Sequence, residues 1–258
     1  MADDPLAGFT PREVRLLGQT RTVLRAGEGP AVVVMHEIPG ITPEVAGFAR
    51  RVADAGFSVF LPDLFGTAGK PFGLPYVAQQ MVRACISREF HVLASHRASP
   101  ITDWLRALCR EAHAECGGPG VGAIGMCLTG NFALALMVDP SVMAPVLSQP
   151  SLPFGITPTQ RAALHVSDEQ LETIRERARN GCPVLGMRFS KDPMVPAERF
   201  ETLRRELGPE GFEGIEIDSS PGNPHGIPRT AHSVVTTDLV DEAGHPTREA
   251  LDRVLAFF

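Results

Sequence analysis

The stretch that decides the fold runs from Val121 to Gly130 and reads VGAIGMCLTG. An apolar run ends at Gly125 and a second one begins at Leu128, which predicts a buried strand, a tight turn and a helix in succession. A turn of this kind, the nucleophile elbow, raises one side chain above the edge of a sheet. Glycines on both sides suit it, because the raised residue has a strained backbone and the helix passes close to the strand. The raised residue here is Cys127.

We predict that Cys127 is a nucleophile. The start of the following helix offers unpaired amides and a dipole that lower a thiol pKa and stabilise an oxyanion. The alternative is an ordinary buried cysteine, and this is our prediction for the other four, which lack such a setting: Cys85, Cys109, Cys116 and Cys182. Five scattered cysteines do not suit a disulfide framework and indicate a reducing compartment. No pair has zinc-site spacing, so we expect no metal and no other cofactor.

Apolar strands alternate with helical segments on both sides of the elbow. After an N-terminal hairpin at 14–25, the predicted strands are 31–35, 58–61, 121–125, 144–147, 184–189 and 215–217. The predicted helices are 42–56, 76–93, 102–116, 128–138, 167–179, 196–207 and 247–258. This alternation predicts an α/β fold with a mostly parallel sheet covered on both faces, in one domain spanning 1–258. The long excursion at 65–100 could form a wall of the ligand pocket, beyond the carboxyl ends of the strands.

Composition excludes several classes of partner. Hydrophobic residues make up 43% and charged residues 21% of the chain, the balance of an ordinary globular protein. A net charge of −6 provides no basic surface for nucleic acid or for an anionic membrane. No apolar run approaches the roughly 18 residues that span a bilayer, and the acidic N-terminus lacks a signal-peptide pattern. We therefore expect a cytoplasmic protein with a small-molecule substrate, as a monomer or a small homo-oligomer.

A cysteine nucleophile needs a base and a carboxylate that orients the base. In α/β-hydrolases both follow the nucleophile in the chain, the acid first and the histidine last. Asp192 fits the acid, because it follows the predicted strand 184–189; a turn aspartate is the alternative. Two histidines lie beyond the last predicted strand, His225 and His232, and position alone slightly favours His225.

Glu37 follows the first predicted buried strand, 31–35. In this fold the loop after that strand donates a backbone amide to the oxyanion hole. A carboxylate at this place would lie beside the nucleophile, whereas the alternative is a solvated loop residue.

Taken together, these motifs resemble those of the dienelactone hydrolase (carboxymethylenebutenolidase-like) family over nearly the whole chain. EIPG at 37–40 is similar to the family's Glu-Ile-Phe-Gly, and GMCLTG at 125–130 to its Gly-x-Cys-x-Gly-Gly. KDPMVP at 191–196 resembles the family's aspartate followed shortly by Val-Pro. HSV at 232–234 resembles its His-Ser-Phe, at a similar distance from a last helix that ends in aromatic residues. The resemblance implies the α/β-hydrolase fold.

The resemblance also implies a role for each matching residue. Cys127 would be the nucleophile, His232 rather than His225 the base, and Asp192 its orienting partner. His225 stays open as an alternative, because it carries the His-Gly form of the same motif.

The remaining implied roles concern the surroundings of the thiol. The backbone amides of Leu128 and Ile38 would form the oxyanion hole. Glu37 would restrain the thiol of Cys127 until substrate displaces it, which would protect the sulfur from oxidation.

Besides Pro39, which replaces the family's usual phenylalanine after Glu-Ile, two threonines depart from the family pattern. Thr129 replaces the first of the paired glycines and is expected to crowd the elbow. Thr236 stands where characterised dienelactone enzymes have an arginine that helps to grip the substrate carboxylate. Candidates for another anion contact come from the predicted pocket wall: Arg83, Arg88 and Arg97.

The function expected from these residues is hydrolysis of a small ester or lactone through a cysteine thioester. One alternative is a thioesterase or carboxylesterase that takes a different acyl group. Another is a non-catalytic member of the fold that binds a small molecule, and the two threonine departures would favour it.

Overall fold

The computed structural model describes residues 4–86, 100–151 and 157–258. Its strands are β1 (Thr10–Leu16), β2 (Gln19–Ala26), β3 (Ala31–Met35), β4 (Ser58–Pro62), β5 (Val121–Met126), β6 (Val142–Ser148), β7 (Val184–Phe189) and β8 (Phe212–Ile217). Its α-helices are α1 (Pro43–Asp54), α2 (Leu74–Ile86), α3 (Pro100–Cys116), α4 (Gly130–Leu136), α5 (Pro158–Ala162), α6 (Asp168–Arg179), α7 (Ala197–Gly211) and α8 (Pro246–Phe257). Among these described helices, none combines the length and apolar character needed to cross a bilayer.

The described strands form one eight-stranded mixed sheet in the order β1-β2-β4-β3-β5-β6-β7-β8. The first two strands pair antiparallel, and β2 pairs antiparallel with β4. All the pairings from β4 through β8 are parallel. Helices between these strands cover both faces of the sheet, as parallel connections require. This is the α/β-hydrolase fold that the sequence predicts.

Two apolar cores lie on opposite faces of the sheet. One packs α3, α4, α6 and α7 against it and includes Trp104 and Phe200, both fully buried. The other packs α1 and α8 and includes Phe48. Alternate residues of β3 point into the two cores, Val33 into the first and Val34 into the second. A strand buried on both faces must be apolar throughout, which explains the uninterrupted run in the sequence.

The predicted bounds mostly agree with the structure. The predicted helix at 128–138 instead begins with a single 3₁₀ turn, Cys127–Thr129, and continues as α4. The predicted helix at 76–93 corresponds to α2 as far as Ile86, and its remainder lies outside the described residues. The short helix α5 is not anticipated by the sequence, because five residues are too few to show a helical period.

The parallel part of the sheet determines where the site lies. Because β3, β5, β6 and β7 run in the same direction, the loops at their carboxyl ends meet at one edge. These loops carry, in order, Glu37, Cys127, Ser151 and Asp192.

Candidate active site

Cys127 occupies a strained turn between β5 and α4. Its φ of +54° lies in the left-handed region, where non-glycine residues are uncommon and mark functional turns. A Cβ at Gly125 would lie 1.9 Å from the carbonyl oxygen of Thr129, so only glycine allows the chain to close this tightly. The side chain of Cys127 is half-buried, so that a small molecule can reach it. The geometry is that of a nucleophile elbow.

The buried Asp192 and the partly buried His232 form a pair at the same edge of the sheet. His232 Nδ1 lies 2.6 Å from Asp192 Oδ2, and the other oxygen of the carboxylate accepts a hydrogen bond from the Met194 amide at 2.9 Å. Asp238 holds the loop in place, because its carboxylate accepts hydrogen bonds from the backbone amides of His232 and Ser233, both at 2.8 Å. A carboxylate on Nδ1 fixes the tautomer and orientation of the imidazole and leaves Nε2 for proton transfer.

The pKa of His232 is raised well above its ordinary value. Burial acts to lower it, but the electrostatic interaction with Cys127 and the hydrogen bond to Asp192 outweigh this effect. A hydrogen bond between the imidazole and the sulfur of Cys127 also acts to raise this pKa. The environment therefore favours an imidazolium beside the cysteine sulfur.

His225, the other candidate base, lies elsewhere. Its exposed side chain packs edge-on against the ring of His245, with the ring centroids 5.3 Å apart. It has no described contact with Asp192 or Cys127. The structure therefore brings His232, and not His225, to the predicted acid.

Glu37 is buried but does not contact the thiol. One oxygen accepts a hydrogen bond from Ser233 Oγ at 2.7 Å and another from Gln149 Nε2 at 3.2 Å, and the second oxygen accepts from Thr236 Oγ1. The described partner of the Cys127 sulfur is instead Ser151 Oγ, at 3.0 Å. The expected contact between the carboxylate and the sulfur is thus absent from the described structure, because three other donors occupy Glu37.

Sequence reasoning missed three residues of this site: Gln149, Ser151 and Asp238. Gln149 has a φ of +35°, and its side chain links Glu37 to the backbone amide of Val234 in the histidine loop. Polar residues directly after the apolar strand β6 were the available signal, since such positions face the ligand side of the sheet. Asp238 carries no local signal, because its role depends on how one loop folds back on itself.

Comparison with known proteins agrees with this geometry. The dienelactone hydrolase family profile matches residues 19–258. The chain belongs to the dienelactone hydrolase family. As a member of that family, it is a hydrolase.

Individual relatives of the family are distant in sequence. A Saccharomyces cerevisiae protein assigned by name to the carboxymethylenebutenolidases is 24% identical over 190 residues, which cover 73% of this chain and 67% of that protein. A solved structure from Klebsiella pneumoniae, assigned by name to the dienelactone hydrolases, is 18% identical with a TM-score of 0.62 and covers 96% of this chain and 98% of its own. A dienelactone hydrolase-like promiscuous phosphotriesterase from metagenomic libraries is 20% identical with a TM-score of 0.58, covering 97% and 98%. Both structural likenesses show the shared fold.

Thr129, the first departure from the family pattern, stabilises the elbow instead of crowding it. Its hydroxyl oxygen accepts a hydrogen bond from the Met126 amide at 2.9 Å and lies 2.9 Å from the Met35 carbonyl oxygen. The side chain is fully buried. It therefore connects the elbow to the end of β3, a contact that the glycine of the family pattern could not make.

Thr236, the second departure, is also part of the site. It stands where the family pattern has an arginine, and it donates to Glu37 through an uncharged hydroxyl. A neutral donor thus occupies this place beside the carboxylate.

The predicted oxyanion amides lie directly after two neighbouring strands, β3 and β5. Leu128 is in the first turn after the nucleophile, where backbone amides have no intrahelical acceptor. Ile38 is in the loop after β3, directly before a cis peptide bond to Pro39. Because β3 and β5 are adjacent in the sheet, both amides belong to loops at the edge that carries Cys127. Their role in an oxyanion hole stays a prediction.

The three predicted arginines are not tested by the structure. Arg83 lies in α2, and the structure describes no position for its side chain. Arg88 and Arg97 lie outside the described residues.

Proposed function

We propose that this protein hydrolyses a small ester or lactone through a thioester on Cys127. The observation that carries the proposal is the arrangement of three residues at one edge of the sheet. Cys127 is raised at a φ of +54°, and the partly buried His232 lies 2.6 Å from Asp192 with its other ring nitrogen available for proton transfer. The names of the relatives, which refer to carboxymethylenebutenolidase and dienelactone hydrolase, support an ester or lactone as the substrate.

In the proposed reaction, the thiol proton of Cys127 is transferred to His232, and the sulfur attacks the carbonyl carbon of the substrate. The amides of Leu128 and Ile38 stabilise the negative oxygen of the tetrahedral intermediate. His232 then donates its proton to the departing alkoxide, and the acyl group stays on the sulfur as a thioester. Asp192 orients the imidazole and stabilises its charged form. In the second half, His232 accepts a proton from water, the resulting hydroxide attacks the thioester, and the thiolate leaves.

We assign the remaining predicted residues to the walls of the pocket. Glu37, held by three donors, fixes the loop that carries Ile38 relative to the histidine loop. Arg83, Arg88 and Arg97 stay candidates for contact with an anionic part of the substrate.

The test is the hydrolysis of p-nitrophenyl acetate by the purified protein and its variants. Cys127→Ala and His232→Ala should each lower the rate by at least about a thousandfold, because triad members act as a unit. Acid quenching during turnover should trap one acetyl group on the peptide that contains Cys127. Full activity of Cys127→Ala would contradict the proposal.

A matched control separates the two histidines. His225→Ala removes an exposed imidazole that has no described contact with Asp192, so its rate should stay close to that of the parent protein. If His225→Ala is inactive and His232→Ala is not, the assignment of the base is wrong. If the parent protein cleaves no ester, thioester or lactone, a binding role replaces catalysis.

A further inference from the structure

The sulfur of Cys127 has a neighbour that the family motifs do not include. Ser151 Oγ lies 3.0 Å from it, and the side chain of Ser151 is buried. Ser151 is fixed by two backbone contacts: its amide donates to the Cys127 carbonyl oxygen at 2.9 Å, and its own carbonyl accepts from Asn131 Nδ2 at 2.9 Å. A hydroxyl held this firmly at hydrogen-bond distance has a defined direction toward the sulfur.

We propose that Ser151 is a positioning residue that donates its hydroxyl proton to Cys127 and holds the sulfur as a thiolate in the free protein. The inference concerns the nucleophile of the proposed function and, for its catalytic meaning, rests on that function. It replaces the expected restraint of the thiol by Glu37.

The proposed resting state assigns a position to the thiol proton and to the hydroxyl proton. In this resting state the S–H bond of Cys127 is broken and its proton is on Nε2 of His232, so the pair is neutral overall. The 3.0 Å contact allows either atom to donate, and because a thiolate can only accept hydrogen bonds, the proposed state makes the Ser151 hydroxyl the donor. A hydrogen bond to a charged acceptor is stronger than a neutral one. The raised pKa of His232, to which the charge of Cys127 contributes, is consistent with this distribution.

The charged groups around the sulfur come from three loops. His232 belongs to the loop after β8, Asp192 to the loop after β7 and Glu37 to the loop after β3. Asp192 is engaged with His232, and Glu37 with three uncharged donors. Beside the imidazole of His232, the hydroxyl of Ser151 is therefore the described uncharged group in hydrogen-bond contact with the sulfur itself.

The buried side chain of Arg199 helps to hold the segment that carries Ser151. Arg199 is 2% exposed and donates to the Pro150 carbonyl oxygen at 2.6 Å and to the Ala163 carbonyl oxygen at 3.0 Å. It thus ties the residue before Ser151 to α7. Burial lowers the pKa of this guanidinium to about 10, so it remains charged at neutral pH. Ser151 and the residue before it are therefore both held by hydrogen bonds.

The experiment measures the rate at which iodoacetamide alkylates Cys127 as a function of pH, by mass spectrometry of the peptide that contains it. Alkylation requires the thiolate and does not require any ester to be cleaved. In Ser151→Ala, the rate at pH 6 should fall about tenfold and the profile should move up by about one pH unit, because one hydrogen bond to a charged sulfur is lost. Ser151→Thr keeps the hydroxyl and should restore the parent profile.

Two further measurements complete the test. Ser167→Ala removes a hydroxyl of the same kind at the start of α6 and should leave the profile unchanged. The ultraviolet absorbance of the thiolate is measured as the difference between the parent and Cys127→Ala at neutral pH. We expect this difference in the parent and a smaller one in Ser151→Ala. The measurement on the parent is informative even if a Ser151 variant does not fold.

The outcomes are distinct. An unshifted alkylation profile in folded Ser151→Ala, or no thiolate absorbance in the parent, overturns the inference. A shifted profile in a protein that cleaves no ester supports the inference while the proposed function fails. Ester cleavage by the parent with an unshifted alkylation profile in Ser151→Ala would support the proposed function and overturn the inference.

Discussion

Two histidines near the site are held in opposite protonation states by their surroundings. His36 is fully buried, and its Nε2 accepts a hydrogen bond from the Leu64 amide at 3.0 Å. Its Nδ1 therefore carries the hydrogen and donates to the Glu37 carbonyl oxygen at 3.0 Å. Burial lowers the pKa of His36 to about 4, despite the opposing effect of that hydrogen bond. His232 is only partly buried, and its interactions with Cys127 and Asp192 raise its pKa.

We expect His36 to make the folded protein less stable in acid. The folded pKa of about 4 lies below the ordinary value of 6.5, so the unfolded chain binds a proton that the folded one does not. The stabilisation by neutral His36 is complete above pH 6.5 and is lost as the pH falls toward 4, by about 3 kcal/mol in total. Urea unfolding at several pH values measures it.

His36→Gln serves as the reference, because the contributions of all other titrating groups cancel when its free energy of unfolding is subtracted from that of the parent. The free energy of unfolding of the parent minus that of the variant should decrease between pH 6.5 and pH 4. His232 does not disturb the comparison, since a raised folded pKa changes stability only above the ordinary value. A pH-independent difference would show that His36 titrates normally.

At this scale the sequence identified residues but not their contacts. Cys127 and Asp192 were recognisable because each follows a strand in a known chain order, whereas His232 was preferred to His225 only through its resemblance to the family's His-Ser-Phe motif. The partner of the sulfur was not, because Ser151 reaches it through the folding of a separate loop. Glu37 was placed correctly in the chain, yet its three donors come from positions more than a hundred residues away.

At the level of elements, the elbow and helix α1 use glycine in opposite ways. The position of Gly125 has no room for a Cβ, which would lie 1.9 Å from a backbone oxygen. At Gly47, inside α1, a Cβ would meet nothing within 4 Å. The first glycine is required by packing, whereas the second only adds flexibility to a helix.

We therefore expect opposite effects from the same substitution. Gly125→Ala should destabilise the protein by about 3 kcal/mol or more, because backbone atoms must move apart. Gly47→Ala should stabilise it by about 0.5–1 kcal/mol, because alanine favours the helix. Urea midpoints of the two variants measure this pair, and a stable, active Gly125→Ala protein would mean that the elbow is less tight than described.

The elements themselves were largely predictable. The bounds of β7 agree residue for residue, because a mostly apolar run lies between Pro183 and the polar turn that begins at Ser190. The start of α1 was marked by Thr42, whose hydroxyl oxygen accepts a hydrogen bond from the Val45 amide at 3.4 Å. The 3₁₀ turn at the elbow was not predictable, because its geometry depends on the packing of Gly125 against Thr129 and not on local propensity.

For the molecule as a whole, the prediction of one domain can be tested with its single tryptophan. Trp104 is fully buried in the core on one face of the sheet, and its Nε1 donates to the Gln19 carbonyl oxygen at 3.2 Å. Because the two cores share one sheet, both should be lost together. Unfolding in urea followed by tryptophan fluorescence and by far-ultraviolet circular dichroism should give the same midpoint.

A clear separation of the two midpoints would contradict the single-domain prediction. Phe48→Ala offers a sharper version, because it weakens the core on the opposite face. Removal of a buried phenylalanine costs about 3–5 kcal/mol, and the midpoint seen by Trp104 should fall with it. An unchanged fluorescence midpoint would mean that the two faces unfold separately.

The donors that hold Glu37 carry a further consequence, which concerns ionic strength. Salt screens ion pairs at the surface, such as the one between Arg51 and Asp241, but it has little effect on buried hydrogen bonds from uncharged groups. Glu37 is held by an amide and two hydroxyls, so no described ion pair fixes it. The loops joined through this carboxylate should therefore keep their arrangement at high salt concentration as well as in dilute buffer.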